Sequence, residues 1–171
     1  MTPPVIRTER LTLRPLGLRD FEALAAFYAS PRSGFVGGPM DRAQVWRHLA
    51  CEIGHWTLRG YGRFAVDETT TDAFVGVVGP WNPEGWPEPE LGWDLMDGHE
   101  GRGYATEAAR AARDWAYSTG WRTAISLVAH GNDASARVAT RLGCVFERDM
   151  EHARFGAMQV WRHPAPAEVT P

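Results

Sequence analysis

Two groups of residues have types and spacings that could do chemistry. The first is Gly98-His99-Glu100-Gly101-Arg102-Gly103-Tyr104-Ala105, a glycine-rich link from a strand-like segment into a helix-like one. The first turn of a helix presents unpaired backbone N–H groups and the positive end of its dipole. Glycines let that backbone approach a ligand without interference from Cβ. Such a turn can hold a pyrophosphate, each charge-assisted bond contributing roughly 1.5–3 kcal/mol. A plain strand-to-helix turn that binds nothing fits Gly-x-Gly equally well. The Gly-x-Gly-x-x-Gly dinucleotide motif is excluded, because its third glycine would fall at Thr106, and the Gly-Lys-Ser/Thr of a phosphate loop is absent. The second group is Asn132 and Ser135. Asn132 stands where a strand ends and a helix begins, a position that suits an N-cap. Ser135 shares a helix face with Val138, Ala139 and Leu142. Its hydroxyl either bonds back to the preceding turn or faces a ligand wedged between this helix and the strand before Gly101.

The elements that must position these residues follow from periodicity. Leu11–Arg14 alternates like a strand. Asp20 can cap a helix to about Tyr28, which Pro31 ends. Asp41 and Gln44 resemble a capping box opening a second helix, with Val45, Trp46, Leu49 and Ile53 inward. Phe64–Val66 and Phe74–Val78 read as a hairpin, and Gly79–Pro89 as a loop. Glu90–Met96 returns as a strand. From Tyr104 to about Thr119, Ala105, Ala108, Ala109, Ala112, Trp115 and Ala116 line one helix face, with Arg110 and Asp114 placed to pair outside it. Thr123–Ala129 is a strand, Asp133–Leu142 a short helix, and Val145–Glu147 and Met158–Trp161 two final strands. The order β-α-α-β-β-β-α-β-α-β-β predicts an α+β (mixed α/β) fold, a mixed sheet with helices on both faces.

Composition narrows the function classes. The 171 residues suit one domain, 44% hydrophobic and 23% charged. A net charge of −3 without a Lys/Arg run lacks the footprint of a nucleic-acid binder. Cys51 and Cys144 have neither metal-ligand spacing nor the pattern of a disulfide framework, so no metal and a reducing, cytoplasmic setting are expected. Met1-Thr2-Pro3-Pro4 is not the start of a signal peptide, and no apolar run reaches membrane-spanning length. The expected division is a single domain over residues 1–163 and a Pro-rich, disordered tail over 164–171.

The two groups lie in fixed order about 30 residues apart, and together they resemble the GCN5-related N-acetyltransferases, the GNAT family. The matching text is Glu90-Leu91-Gly92-Trp93-Asp94-Leu95, then Gly101-Arg102-Gly103-Tyr104-Ala105-Thr106-Glu107-Ala108, Asn132-Asp133-Ala134-Ser135-Ala136-Arg137-Val138 and Leu142-Gly143-Cys144. The opening Thr8–Leu16 looks like the ribosomal-protein N-acetyltransferase branch. The resemblance implies an N-acetyltransferase domain, with a mostly antiparallel twisted sheet, that uses acetyl-CoA. Amides of Gly101, Arg102, Gly103, Tyr104, Ala105 and Thr106 would hold the pyrophosphate. Main chain of Trp93, Leu95 and Met96 would run beside the pantetheine arm, between splayed strands. Asn132 would bond the pantetheine, Ser135 would lie near the leaving thiol, and Arg137 could reach a phosphate or stay in solvent. Relatives often carry Arg or Gln where Gly98 stands, so one donor is lost. Relatives also carry a tyrosine acid seven residues after the Asn. Ala139 excludes one there and leaves Ser135 or a water.

Acetyl transfer needs a neutral amine, hence a base or a proton-relaying water. Glu90 is the first candidate and Asp94 the second; four apart on one strand, they face the same side. Strand N–H groups near Trp93–Leu95 could stabilise the oxyanion. His99 could assist but lies beside the phosphates. Phe35, Trp46, Trp56, Trp81 and Trp86 are candidates to line the acceptor site, although Trp46 is expected in the core. Glu84, Glu88 and Glu90 would make its mouth acidic and draw cationic amines. The acceptor is a protein N-terminus or a small-molecule amine, and the enzyme a monomer or homodimer. A non-catalytic acetyl-CoA sensor is the rival reading.

Overall fold

The structure, a computed structural model, describes residues 3–169. The elements are β1 (Ile6–Arg7), β2 (Leu11–Arg14), α1 (Phe21–Ala29), α2 (Arg42–Arg59), β3 (Phe64–Glu68), β4 (Phe74–Trp81) and β5 (Glu90–Leu95). They continue with α3 (Tyr104–Ser118), β6 (Ile125–Ala129), α4 (Asp133–Arg141), β7 (Val145–His152), β8 (Gly156–Arg162) and α5 (Pro166–Val169). The strands form one sheet in the order β1-β2-β3-β4-β5-β6-β8-β7. Neighbours are antiparallel except β5 and β6. The expected order holds, with β1 and α5 added.

Alternation on β3 divides the core. Phe64 and Val66 face α3, whose alanines Ala108, Ala109 and Ala112 are fully buried against the sheet. Ala65 points to the other face, where Leu24 and Tyr28 of α1 and Val45 and Leu49 of α2 cover it. An alanine face lets the α3 axis lie close to the strands, which brings its N-terminus up to the end of β5. α2 opens with the expected capping box: Asp41 accepts from Gln44 N, and Gln44 accepts from Asp41 N.

Several local expectations are corrected. Asp20 does not cap α1; its carboxylate accepts from Gly17 N and from the Arg14 guanidinium, a stronger partner than a helix amide. Trp46 and Ile53 are 52% and 43% exposed, because α2 turns Leu49, Glu52 and Trp56 inward instead. Trp46 stands edge-on to Phe21. Arg113 is buried and donates to Leu142 O at 2.8 Å, and Asp114 pairs with it rather than with Arg110. β4 runs on through Pro80 and Trp81, paired with Leu91 and Glu90, where a loop was expected. In the expected tail, Pro166–Val169 forms a short helix, and Pro164 O accepts from Tyr117. Thr170 and Pro171 of that tail, and Met1 and Thr2, lie outside the described residues.

Candidate active site

β5 and β6 run parallel but meet at a single register pair, Glu90 with Ile125, and diverge beyond it. A diverging pair leaves backbone amides without ladder partners. One of them, Leu127 N, is satisfied by Glu90 Oε1 at 3.1 Å. The gap that results is flanked on one side by the α3 turn and α4, and on the other by α2 and the β7–β8 turn.

On the first side lies a cavity of about 410 Å³, lined by Trp93, Leu95, Gly101, Gly103, Tyr104, Ala105, Thr106, Asn132, Ser135 and Arg137. Gly101 and Gly103 have φ of +72° and +82°, values that place their amides in a left-handed turn at the α3 start. A Cβ on Gly101 would meet nothing within 4 Å, so the space before the turn is open to a ligand. Thr106 Oγ1, in the same lining, is buried without a hydrogen-bond partner among the described residues. Asn132 caps α4 by accepting from Ser135 N at 3.2 Å. Arg137 and Arg141 border the cavity without carboxylate partners among the described residues. These groups fit a phosphate-bearing cofactor. Two expected contributors lie off the lining. The Met96 side chain packs in the α1–α2 core and its amide bonds Val75 O. The Arg102 side chain turns back to Glu68 and the Tyr104 ring, so only its main chain could contribute.

On the second side lies a larger cavity of about 710 Å³. Glu90 and Asp94 both line it, as their spacing predicted, but their surroundings differ. Glu90 is 7% exposed, not a surface carboxylate, and accepts from Leu127 N and from Trp86 Nε1 at 2.6 Å. Burial pushes its carboxyl up to about 7, which those two hydrogen bonds limit. Asp94 accepts from Arg63 at 2.8 Å and from Tyr28 at 3.2 Å, so its charge is already compensated. The two cavities share Phe35, Val36, Trp93, Asp94, Asn132 and Ser135. At that junction Ser135 does not bond back to the preceding turn; its hydroxyl accepts from Trp93 Nε1 at 3.3 Å.

Of the candidate aromatics, Phe35, Trp81 and Trp86 line this cavity. Trp56 is core, donating to Arg63 O, and Trp46 is elsewhere. Of the expected acidic mouth, Glu84 and Glu90 line this cavity, Glu84 fully exposed and reaching Arg59, whereas Glu88 is drawn away to Arg148 and Arg162. Ala139 is fully buried, as its apolar face requires. His99 Nδ1 is buried without a hydrogen-bond partner among the described residues.

Sequence reasoning missed the buried group around Arg63, which pairs with Glu52 and Asp94 and touches His48. One signal was available: Glu52 lies between Leu49 and Trp56 on the apolar face of α2, where a carboxylate needs a partner. Nothing in the sequence pointed to Arg63 as that partner.

The sequence profile described as Acetyltransferase (GNAT) domain matches residues 10–145. The chain therefore belongs to the GNAT acetyltransferase family, and it is an enzyme of the N-acetyltransferase class. It is 41% identical to the acetyltransferase of Agrobacterium tumefaciens strain C58, over 96% of both chains, with a TM-score of 0.88. It is 29% identical to the uncharacterized N-acetyltransferase p20 of Bacillus licheniformis, over 66% of this chain and 65% of that protein. The fold is shared with RimL, a ribosomal L7/L12 alpha-N-protein acetyltransferase solved with coenzyme A, at a TM-score of 0.79. Identity to RimL is 18% over 96% of this chain and 99% of that one. Among the described residues no helix is long and apolar enough to cross a membrane.

Proposed function

We propose that this enzyme moves the acetyl group of acetyl-CoA to a primary amine, with the cofactor in the 410 Å³ cavity and the amine in the 710 Å³ one. The observation that supports this reading most is their meeting at Trp93, Asp94, Asn132 and Ser135, on a sheet opened between β5 and β6. Acetyl-CoA supplies an activated thioester. The α3 turn binds its pyrophosphate through main-chain N–H groups, and Arg137 and Arg141 take further phosphate charge. Strand N–H groups near Trp93–Leu95 donate to the developing oxyanion.

Glu90 takes a proton from the acceptor's ammonium, and the neutral amine so formed attacks the thioester carbonyl. A carboxyl near 7 is matched to that task at neutral pH, since it is substantially ionised yet basic enough to accept. Asp94, held by Arg63 and Tyr28, serves to position the wall rather than to move a proton. Ser135, held by Trp93, stands where the thiolate leaves and can donate to it.

A thiol-release assay across peptide N-termini and small amines, with mass detection of the acetylated product, tests the reading. Release of coenzyme A coupled to a mass gain on an amine is expected. Acetyl-CoA binding with no release against any amine would make the protein a sensor instead.

A further inference from the structure

The charges facing the acceptor cavity do not cancel. Arg47 of α2 and Arg154 of the β7–β8 turn both line it. Neither guanidinium has a carboxylate partner among the described residues. Three acidic side chains share the lining, and each has another partner. Asp94 is taken by Arg63, and Glu84 reaches Arg59 at 3.4 Å in full solvent exposure. Glu90 sits deep in the wall with its oxygens held by Leu127 N and Trp86 Nε1. His48, also in the lining, is pushed down by burial and brings no charge to offset. The arginines also sit beside apolar surface: Trp81, Trp86 and Phe155 share the lining, and Arg154 lies over the Phe155 ring at 5.2 Å.

A Cβ built on Gly37 would lie 2.8 Å from Phe155 Cε1 and 3.5 Å from the Arg154 guanidinium. The β7–β8 turn thus touches the segment before α2, at one edge of the cavity.

We propose that the acceptor is a small amine carrying a carboxylate, an amino acid with an apolar side chain, whose acid group is held by Arg47 and Arg154. The proposal rests on the acetyltransferase reading above and narrows its acceptor. The guanidinium fork matches a carboxylate in geometry and charge, and two cations in the lining repel a polyamine. The aromatic lining takes the side chain, while Glu90 faces the amine.

The test uses the full chain and matched acceptors: alanine, leucine, phenylalanine and tryptophan, each against its amide. Spermidine and peptides with an acidic second residue complete the panel. Coenzyme A release is followed for each. Calorimetry on the coenzyme A-loaded protein compares each N-acetyl amino acid with its N-acetyl amide. At least one amino acid is expected to exceed its amide in kcat/KM, or its product to bind more tightly, by about tenfold, as for loss of one charge-assisted bond. In Arg47→Ala, Arg154→Ala and the double variant that ratio falls towards one, while acetyl-CoA still binds. The proposal is overturned if no member is preferred over its amide, if spermidine or a peptide is the better acceptor, or if the double variant keeps the ratio. Loss of acetyl-CoA binding by the unaltered protein would overturn the acetyltransferase reading itself, which separates the two failures.

Discussion

Glu90 carries two duties that a substitution can separate. It closes the strand gap through Leu127 N, and it presents a carboxyl pushed up to about 7. Glutamine keeps an acceptor for Leu127 N but cannot take a proton. Glu90→Gln should lower kcat/KM by about a hundredfold, the usual share of a positioned base. The unaltered enzyme's kcat/KM should fall as pH drops through about 7, and the variant should lose that limb. Full turnover with unchanged pH dependence would dismiss the base assignment. Stability moves the other way. The fold favours the protonated carboxyl, so its contribution is present in acid and is lost as pH rises through about 7. The unaltered Tm should therefore decline between about pH 4.5 and 7 more steeply than that of Glu90→Gln, as a thermal melt series would show. Ser135→Ala is expected to lower kcat with little change in acetyl-CoA affinity, read from initial rates and calorimetry together.

At the scale of elements, the α3 turn depends on backbone that a side chain would strain. Gly103 has φ +82°, and a Cβ there would stand 3.4 Å from the Arg10 guanidinium. Gly103→Ala should cost about 1–2 kcal/mol in the left-handed region. Measured by calorimetry, acetyl-CoA affinity should weaken about tenfold if the turn shifts to relieve it. Asp41→Ala removes the α2 cap, which should lower stability by about 1 kcal/mol in urea melts. Both motifs were legible in the sequence, because a glycine turn and a capping box are set by neighbours a few residues apart. The β3–β4 hairpin and the alanine face of α3 were legible for the same reason. Asp20 was misread because its winning partner, Arg14, comes from β2 and not from the helix it precedes. β4 was read short because Pro80 signals a loop, and only its pairing with Leu91 makes it strand.

Across the whole molecule, the group centred on Arg63 ties α1, α2, β5 and the approach to β3 into one unit. Arg63 bonds Glu52 and Asp94, and Asp94 accepts from Tyr28. Arg63→Met would leave two buried carboxylates unpaired. Removing one member of a buried ion pair typically costs about 3–5 kcal/mol, and chemical denaturation should find a loss of that order. Such contacts join residues distant in the chain, so periodicity could not announce them. The charge of the acceptor cavity was legible only in part for a related reason. Glu84, Glu88 and Glu90 cluster in sequence, yet folding turns Glu88 away to Arg148 and Arg162 and adds Arg47 and Arg154 to the lining that Glu84 and Glu90 share.

The lone pairing of Glu90 with Ile125 has a consequence for deuterium uptake. It divides the sheet into a five-stranded and a three-stranded half joined along β5 and β6. Amides on the facing edges beyond that pair should exchange quickly in the free enzyme, since no strand shields them. Leu127 should exchange slowly, because Glu90 holds its N–H. Saturation with acetyl-CoA should slow the β5 edge near Trp93–Leu95 and leave Leu127 unchanged. The cofactor would then act as a missing strand, and the rigidity of the sheet would depend on the metabolic supply of its own substrate.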